Sequence, residues 1–118
     1  MKLNFFEMDR RKERIGSLLK EEISKIILYQ MKNPKIGFIT VTDVRMSGDL
    51  KIASVYISVL SEKSMKENTI EILNNSKGYI RREIAKKLNL KWNPEINFYL
   101  DNSHIIGEKI DKILRKKD

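Results

Sequence analysis

Two alternating, β-rich runs separated by a three-residue turn constrain this chain more than any other feature. Between Phe38 and Met46, Ile39 and Val41 fall on one face, and Phe38, Thr40, Thr42, Val44 and Met46 on the other. Ser47-Gly48-Asp49 has turn composition. The run from Leu50 to Leu60 then resumes the alternation, with Ala53, Val55, Ile57 and Val59 on one side and Ile52, Ser54, Tyr56 and Ser58 on the other. So short a connection leaves an antiparallel hairpin as the only arrangement.

Helices supply its cover. Ile15, Leu18, Leu19, Ile23, Ile26 and Ile27 recur at three- and four-residue spacing in a helix predicted from about Glu7 to Met31. Asn33-Pro34 ends it, because the residue before proline is pushed out of the α region. Ser64-Met65-Lys66-Glu67 has the form of a capping box with Ser64 as N-cap, opening a helix that turns Ile70 and Leu73 inward. Asn74-Asn75-Ser76-Lys77-Gly78 is a run of poor helix formers, so a break or sharp kink is expected there. A further helix from about Tyr79 to Leu88 carries Ile80, Ile84 and Leu88 on one stripe. Glu95 to Leu100 alternates as a third strand, with Ile96, Phe98 and Leu100 on one face. Asp101-Asn102-Ser103 offers a cap, and Ile106, Ile110, Ile113 and Leu114 stripe a last helix. The predicted order is α-β-β-α-kink-α-β-α, an α+β arrangement in which helices pack on a three-stranded sheet. At 118 residues, with no repeat or low-complexity tract, residues 1–118 are expected to form one domain.

Several chemistries are excluded early. There is no cysteine, which removes disulfides, zinc ribbons and thiol nucleophiles. One histidine and scattered acids offer no metal-ligand cluster, and no phosphate-binding lysine loop of the Walker type is present. His104, beside Ser103, falls at an expected helix start and lacks a third group to orient it. Asp43, Asp49 and Asp101 lie at strand ends or turns, where caps explain them. No run of 18 apolar residues occurs, and Glu7 and Asp9 arrive before any stretch of signal-peptide length, so a soluble, cytoplasmic protein is expected. The reading is of a non-enzyme with no catalytic residue, cofactor, metal or small-molecule substrate, and with a monomer as the default.

Charge indicates the partner. The formal net charge is +8, and residues 76–91 alone carry +5 of it, from six bases and one acid, Glu83. A compositional bias toward lysine would spread charge evenly; this chain concentrates it, as polyphosphate binding requires. On a helical wheel Arg82 and Lys86 point away from Ile80, Ile84 and Leu88, with Tyr79 near them and Lys87 flanking the stripe. Arg81 falls on the apolar side, where it is expected to pack its stem and pair with an internal acid. Lys77 is placed in the break itself. Gly78, lacking a Cβ, lets backbone approach a phosphate, and the helix that starts after it offers free N–H groups to an anion. The candidate RNA-binding set is therefore Ser76, Lys77, Gly78, Arg81, Arg82, Lys86, Lys87 and Lys91. Tyr79 and Trp92 are candidates for base stacking, and Arg10-Arg11-Lys12 with Arg14, and Arg115-Lys116-Lys117, for further phosphate contacts.

These residues carry a resemblance. Asn33-Pro34-Lys35-Ile36-Gly37-Phe38-Ile39-Thr40-Val41-Thr42-Asp43-Val44 is similar to the proline-then-strand signature of the ribosome-binding factor A family. Asp49-Leu50 with Ala53-Ser54-Val55-Tyr56-Ile57-Ser58-Val59 resembles its second strand. Ser76-Lys77-Gly78-Tyr79-Ile80-Arg81 is similar to its interhelical break, and Pro94-Glu95-Ile96-Asn97-Phe98 to its third strand. Asp101-Asn102-Ser103 and Gly107-Glu108-Lys109-Ile110-Asp111 extend the match over almost the whole chain.

The resemblance implies a K-homology fold of type II topology, in which a kinked small-x-Gly break replaces the usual Gly-x-x-Gly loop; the family commonly begins it with alanine, and Ser76 stands there in this chain. It also implies a factor that contacts small-subunit ribosomal RNA during late maturation of that subunit and is linked to growth in the cold. The alternative is a general basic RNA-binding or protein-interaction adaptor not tied to the ribosome.

Overall fold

A computed structural model describes residues 5–31, 33, 36, 38–60, 63–90 and 93–101, excepting the side chains of 5–9 and 63–65. The predicted last helix (Ile106, Ile110, Ile113, Leu114) and its cap beyond Asp101 lie outside these residues, as do Pro34, Lys91, Trp92, His104 and Arg115-Lys116-Lys117.

The hairpin forms between β1 (Phe38–Met46) and β2 (Ile52–Leu60), paired antiparallel from Phe38 opposite Leu60 to Met46 opposite Ala53. Strict alternation fails at one point in β1. Val41 opposes Ile57 and Asp43 opposes Tyr56, so Thr42 is an extra residue at a β-bulge. The bulge reverses the facing of everything after it. Val44 therefore joins Val41 in the core, where simple alternation would set the two on opposite faces. The Thr42 hydroxyl lies 2.6 Å from Asp101 Oδ2 and 3.2 Å from the Tyr56 carbonyl oxygen, which anchors the bulge.

β2 begins two residues later than the sequence suggests. Leu50, expected as its first residue, has φ of 62° and belongs to the turn. A left-handed leucine costs about 1–2 kcal/mol, and a dense hydrogen-bond set imposes it. Ser47 N–H donates to the Ile52 carbonyl at 2.8 Å and Leu50 N–H to that of Ser47 at 3.0 Å. The Asp49 carboxylate accepts from the Ser47 hydroxyl at 2.7 Å and from Lys51 N–H at 3.1 Å, and these two bonds hold its pKa below the ordinary aspartate value.

Helix α1 (Phe5–Lys25) runs into a π-helical turn (Ile26–Gln30) that ends before Asn33, where the bond from Met31 N–H to the Ile26 carbonyl measures 3.1 Å. Leu19, Ile23, Ile26 and Ile27 are buried as predicted, whereas Leu18 is 39% exposed. Gly16 sets the closeness of α1 to β1: a Cβ there would stand 2.9 Å from the Val44 carbonyl oxygen. Helix α2 (Lys63–Asn75) begins one residue before Ser64, so Ser64 lies in its first turn and not at the predicted N-cap position. Helix α3 (Lys77–Lys87) follows after Ser76 alone.

Strand β3 (Glu95–Leu100) then joins β2 in parallel, giving a mixed sheet of order β1-β2-β3. The long return from β2 to β3 is what a parallel neighbour requires, and α2 and α3 fill it. The Asn74 amide closes part of the free edge of β3, donating to the Phe98 carbonyl at 3.2 Å and accepting from Phe98 N–H at 3.0 Å. One face of the sheet buries Val41, Val55, Ile57 and Phe98 against Leu19, Ile23, Leu73, Ile80 and Ile84. Each such side chain contributes roughly 1.5–3 kcal/mol by leaving water, which is enough to hold α3 in a single orientation.

Candidate nucleic-acid interface

The break between α2 and α3 is one residue wide. Ser76 has φ of −98° and ψ of 4°, leaves the helical region, and caps neither helix with its side chain. Its N–H still reaches back to the Ile72 and Leu73 carbonyls at 3.0 and 3.1 Å, while its own carbonyl accepts the Ile80 N–H at 3.1 Å. The break therefore falls before Lys77, two residues earlier than the predicted start at Tyr79, and both Lys77 and Gly78 belong to the first turn of α3. Gly78 is exposed, and a methyl group there would meet no atom within 4 Å. Backbone is thus open to a partner on that side.

With Ile80 and Ile84 fully buried, helical geometry decides where each cation goes. Arg82 and Lys86 are exposed and face solvent. Lys86 reaches the Glu83 carboxylate at 3.3 Å with its side chain 71% exposed, a contact that water screens heavily. Arg82 has no hydrogen bond or ion pair with any described residue.

Lys87 leans toward α1, 4.0 Å from Glu22 Oε2. That oxygen is buried and accepts no hydrogen bond, so the pair is held by charge alone. Lys25 approaches the other oxygen of the same carboxylate at 3.9 Å.

Two predicted contacts turn inward instead. Lys77 does not sit free in the break: its ammonium donates to Asn97 Oδ1 on β3 at 3.1 Å. Arg81 packs on the apolar side as expected, but among the described residues it finds no acid. Its Nε donates to the Pro94 carbonyl and its Nη2 to the Asn93 carbonyl, both at 3.0 Å, and Asn93 Nδ2 returns a 2.9 Å bond to the Arg81 carbonyl. This reciprocal clasp ties α3 to the entry of β3. Of the candidate set, the structure brings Gly78, Arg82 and Lys86 to the outer side of α3, sets Lys87 at the seam with α1 beside Glu22, leaves Ser76 in the break, assigns Lys77 and Arg81 to the fold, and leaves Lys91 outside the described residues.

The open face of the sheet has a different character. Tyr56 and Tyr99 are register partners with ring centroids 5.7 Å apart, and the Arg45 guanidinium stands 5.4 Å over Tyr56 while bonded to Asp43 at 3.0 Å. Asp43 and Asp101 flank the tyrosines.

Comparison with known proteins places this architecture. The family model described as ribosome-binding factor A matches residues 11–114. The chain belongs to the ribosome-binding factor A family. The crystal structure of the factor from Thermus thermophilus superposes with a TM-score of 0.68 at 22% identity, covering 75% of this chain and 94% of that one. The solution NMR structure of a Thermotoga maritima protein provisionally assigned to ribosome-binding factor A gives 0.68 at 37% identity, covering 75% and 85%. A homology model of the Thermus factor, fitted into a cryo-EM map of a 30S–factor complex, gives 0.63 at 22% identity, covering 74% and 91%. The three helices and three-stranded mixed sheet are thus the K-homology-like α+β fold of the family.

Two groups escape a reading of the sequence. Glu22 enters because α1 and α3 run antiparallel, with Lys87 opposite Glu22 and Tyr79 opposite Gln30, its hydroxyl 3.1 Å from Gln30 Oε1. Asn74 and Asn97 look like helix-breaking or strand polar residues. Nothing local in the sequence announces that they bind the edge of β3 and Lys77. No helix among the described residues is long and apolar enough to cross a membrane.

Proposed function

We propose that this protein is a non-catalytic assembly factor that binds the ribosomal RNA of the small subunit during late maturation, and that the outer face of α3 is its phosphate-binding surface. The carrying observation is Arg82 with Lys86, one turn apart, facing water on a helix whose inner side is fully buried. Family membership and the docking of the Thermus relative in a 30S complex support the ribosomal target. Exposed Gly78 adds backbone that a phosphate can approach, and Lys87 adds a third cation at the other end of the helix. In this reading the whole chain acts as one K-homology-like unit, monomeric and cytoplasmic, and positions RNA without turnover.

Co-sedimentation with free small subunits, set against joined ribosomes, tests the reading directly. Binding should concentrate on the free subunit. Replacing Arg82 and Lys86 together by Glu should abolish it while leaving the urea midpoint unchanged, because neither side chain is buried. Retained co-sedimentation by that double variant would exclude α3 as the contact surface. Association that survives nuclease treatment would instead favour a protein-interaction adaptor.

A further inference from the structure

The π-helical turn at the end of α1 has an effect on the surface that core packing does not account for. A regular helix would bring position 30 round to the core after Ile26 and Ile27. The wider π turn delays the next inward residue to Met31, which packs against the core, and leaves Leu28, Tyr29 and Gln30 all outside. Leu28 is 70% exposed and Tyr29 68%. π turns are rare and concentrate at functional sites.

This turn lies against the first turn of α3, since the Gln30 amide oxygen accepts from the Tyr79 hydroxyl. Lys25 lies four residues earlier in the same helix, paired with Glu21 at 3.2 Å. The exposed tyrosine thus neighbours the contact through which Gln30 meets Tyr79, and Arg82 lies one turn beyond Tyr79 on the solvent side of α3.

We infer that Tyr29 is a stacking platform for an unpaired nucleobase of the RNA strand whose phosphates lie on Arg82 and Lys86, with Tyr79 and the Gln30 amide beside it. The inference rests on the RNA reading above and deepens it, because it makes the target single-stranded at this point. An aromatic ring next to a row of cations is the arrangement by which proteins hold unpaired nucleotides. The tyrosine pair on the open sheet face, half-buried Tyr56 and exposed Tyr99, lacks that setting: Asp43 and Asp101 flank it and Arg45 already covers one ring.

The test measures binding of a labelled single-stranded oligoribonucleotide of mixed sequence and of a blunt-ended RNA duplex without unpaired bases. Tyr29→Ala should weaken the single strand roughly five- to 150-fold, the range of one lost base stack, and leave the duplex unchanged. Its salt dependence should keep the wild-type slope, because no phosphate contact is removed. Tyr29→Phe should bind like the parent, since the ring and not the hydroxyl does the work. Equal affinity of Tyr29→Ala and parent for the single strand, equal losses on both RNAs, or a loss in Tyr29→Phe would each overturn the inference. Failure of the parent to bind either RNA would instead overturn the functional reading beneath it.

Discussion

Lys77 and Arg81 stand four residues apart on α3, and so do Arg82 and Lys86, yet the first pair is bonded into the fold while the second faces water. The difference arises from one step of 100° around the helix. Ile80 and Ile84 point into the core, so their neighbour Arg81 is carried to the rim of β3, where its planar fork matches the two carbonyls of Asn93 and Pro94. Arg82, one residue on, is carried outward. Local charge density therefore overstates the binding surface. Six bases lie between 76 and 91, but among the described ones Lys77 and Arg81 are bonded into the fold, and this inner row holds the solvent-facing outer row in place.

Breaking the inner row should have the largest effect. Arg81→Ala strands the Asn93 and Pro94 carbonyls in a part-buried site and should lower stability by roughly 1.5–3 kcal/mol, the range for losing hydrogen bonds to a charged group, read as a shift in urea midpoint. Arg81→Lys should recover little of it, because an ammonium cannot span both carbonyls. An unchanged midpoint combined with lost subunit binding would move Arg81 to the outer row and undo the distinction.

The same contrast separates two glycines. Gly16 is buried with the Val44 carbonyl 2.9 Å from where its Cβ would stand, so Gly16→Ala must push α1 off β1, at a cost of about 1–3 kcal/mol. Gly78 is open. Gly78→Ala should stabilise the chain by about 0.5–1 kcal/mol through helix propensity, yet weaken RNA binding if backbone meets a phosphate there. Calorimetry beside a binding titration reads both signs. A stabilised variant with undiminished affinity would remove Gly78 from the interface.

Outer-row cations should reveal themselves by salt. Arg82→Gln should reduce the slope of log affinity against log salt by about 1, as the loss of one phosphate contact does, and leave stability within about 0.5 kcal/mol. Lys77→Gln should leave the slope alone. Equal slopes for the two variants would mean that Lys77 abandons Asn97 when RNA arrives.

How much of this is legible in the sequence follows the range of the interactions. The ends of β1 and β3, and the burial of Ala53, Val55, Ile57, Ile80 and Ile84, can be read directly, because alternation and helical spacing are local signals. The bulge at Thr42 cannot, since one residue added to a strand leaves its composition unchanged and only pairing with β2 reveals it. Leu50 reads as strand for a related reason. Leucine has no preference for a left-handed backbone, and the bonds from Ser47 and Asp49 impose it. In the candidate site, the outward direction of Arg82 and Lys86 follows from the wheel. The carbonyl partners of Arg81, the Asn97 partner of Lys77 and the approach of Glu22 do not, because each joins segments 12 to 65 residues apart.

Glu22 provides the smallest and most discriminating test of the boundary between the two rows. Its carboxylate is mostly buried, one oxygen accepts no hydrogen bond, and Lys87 and Lys25 approach it from opposite helices at 4.0 and 3.9 Å. Lys87 is therefore intermediate, neither bonded like Arg81 nor unpaired like Arg82. Neutralising the acid as Glu22→Gln removes a negative charge beside the proposed RNA surface and frees Lys87 to turn outward. The affinity for small-subunit RNA should rise about twofold at low salt, an electrostatic gain of the size exposed pairs show, and fade as salt approaches about 1 M. A fall in affinity would mean that the carboxylate holds Lys87 in its binding position, and Lys87 would then belong with the outer row only while Glu22 is charged.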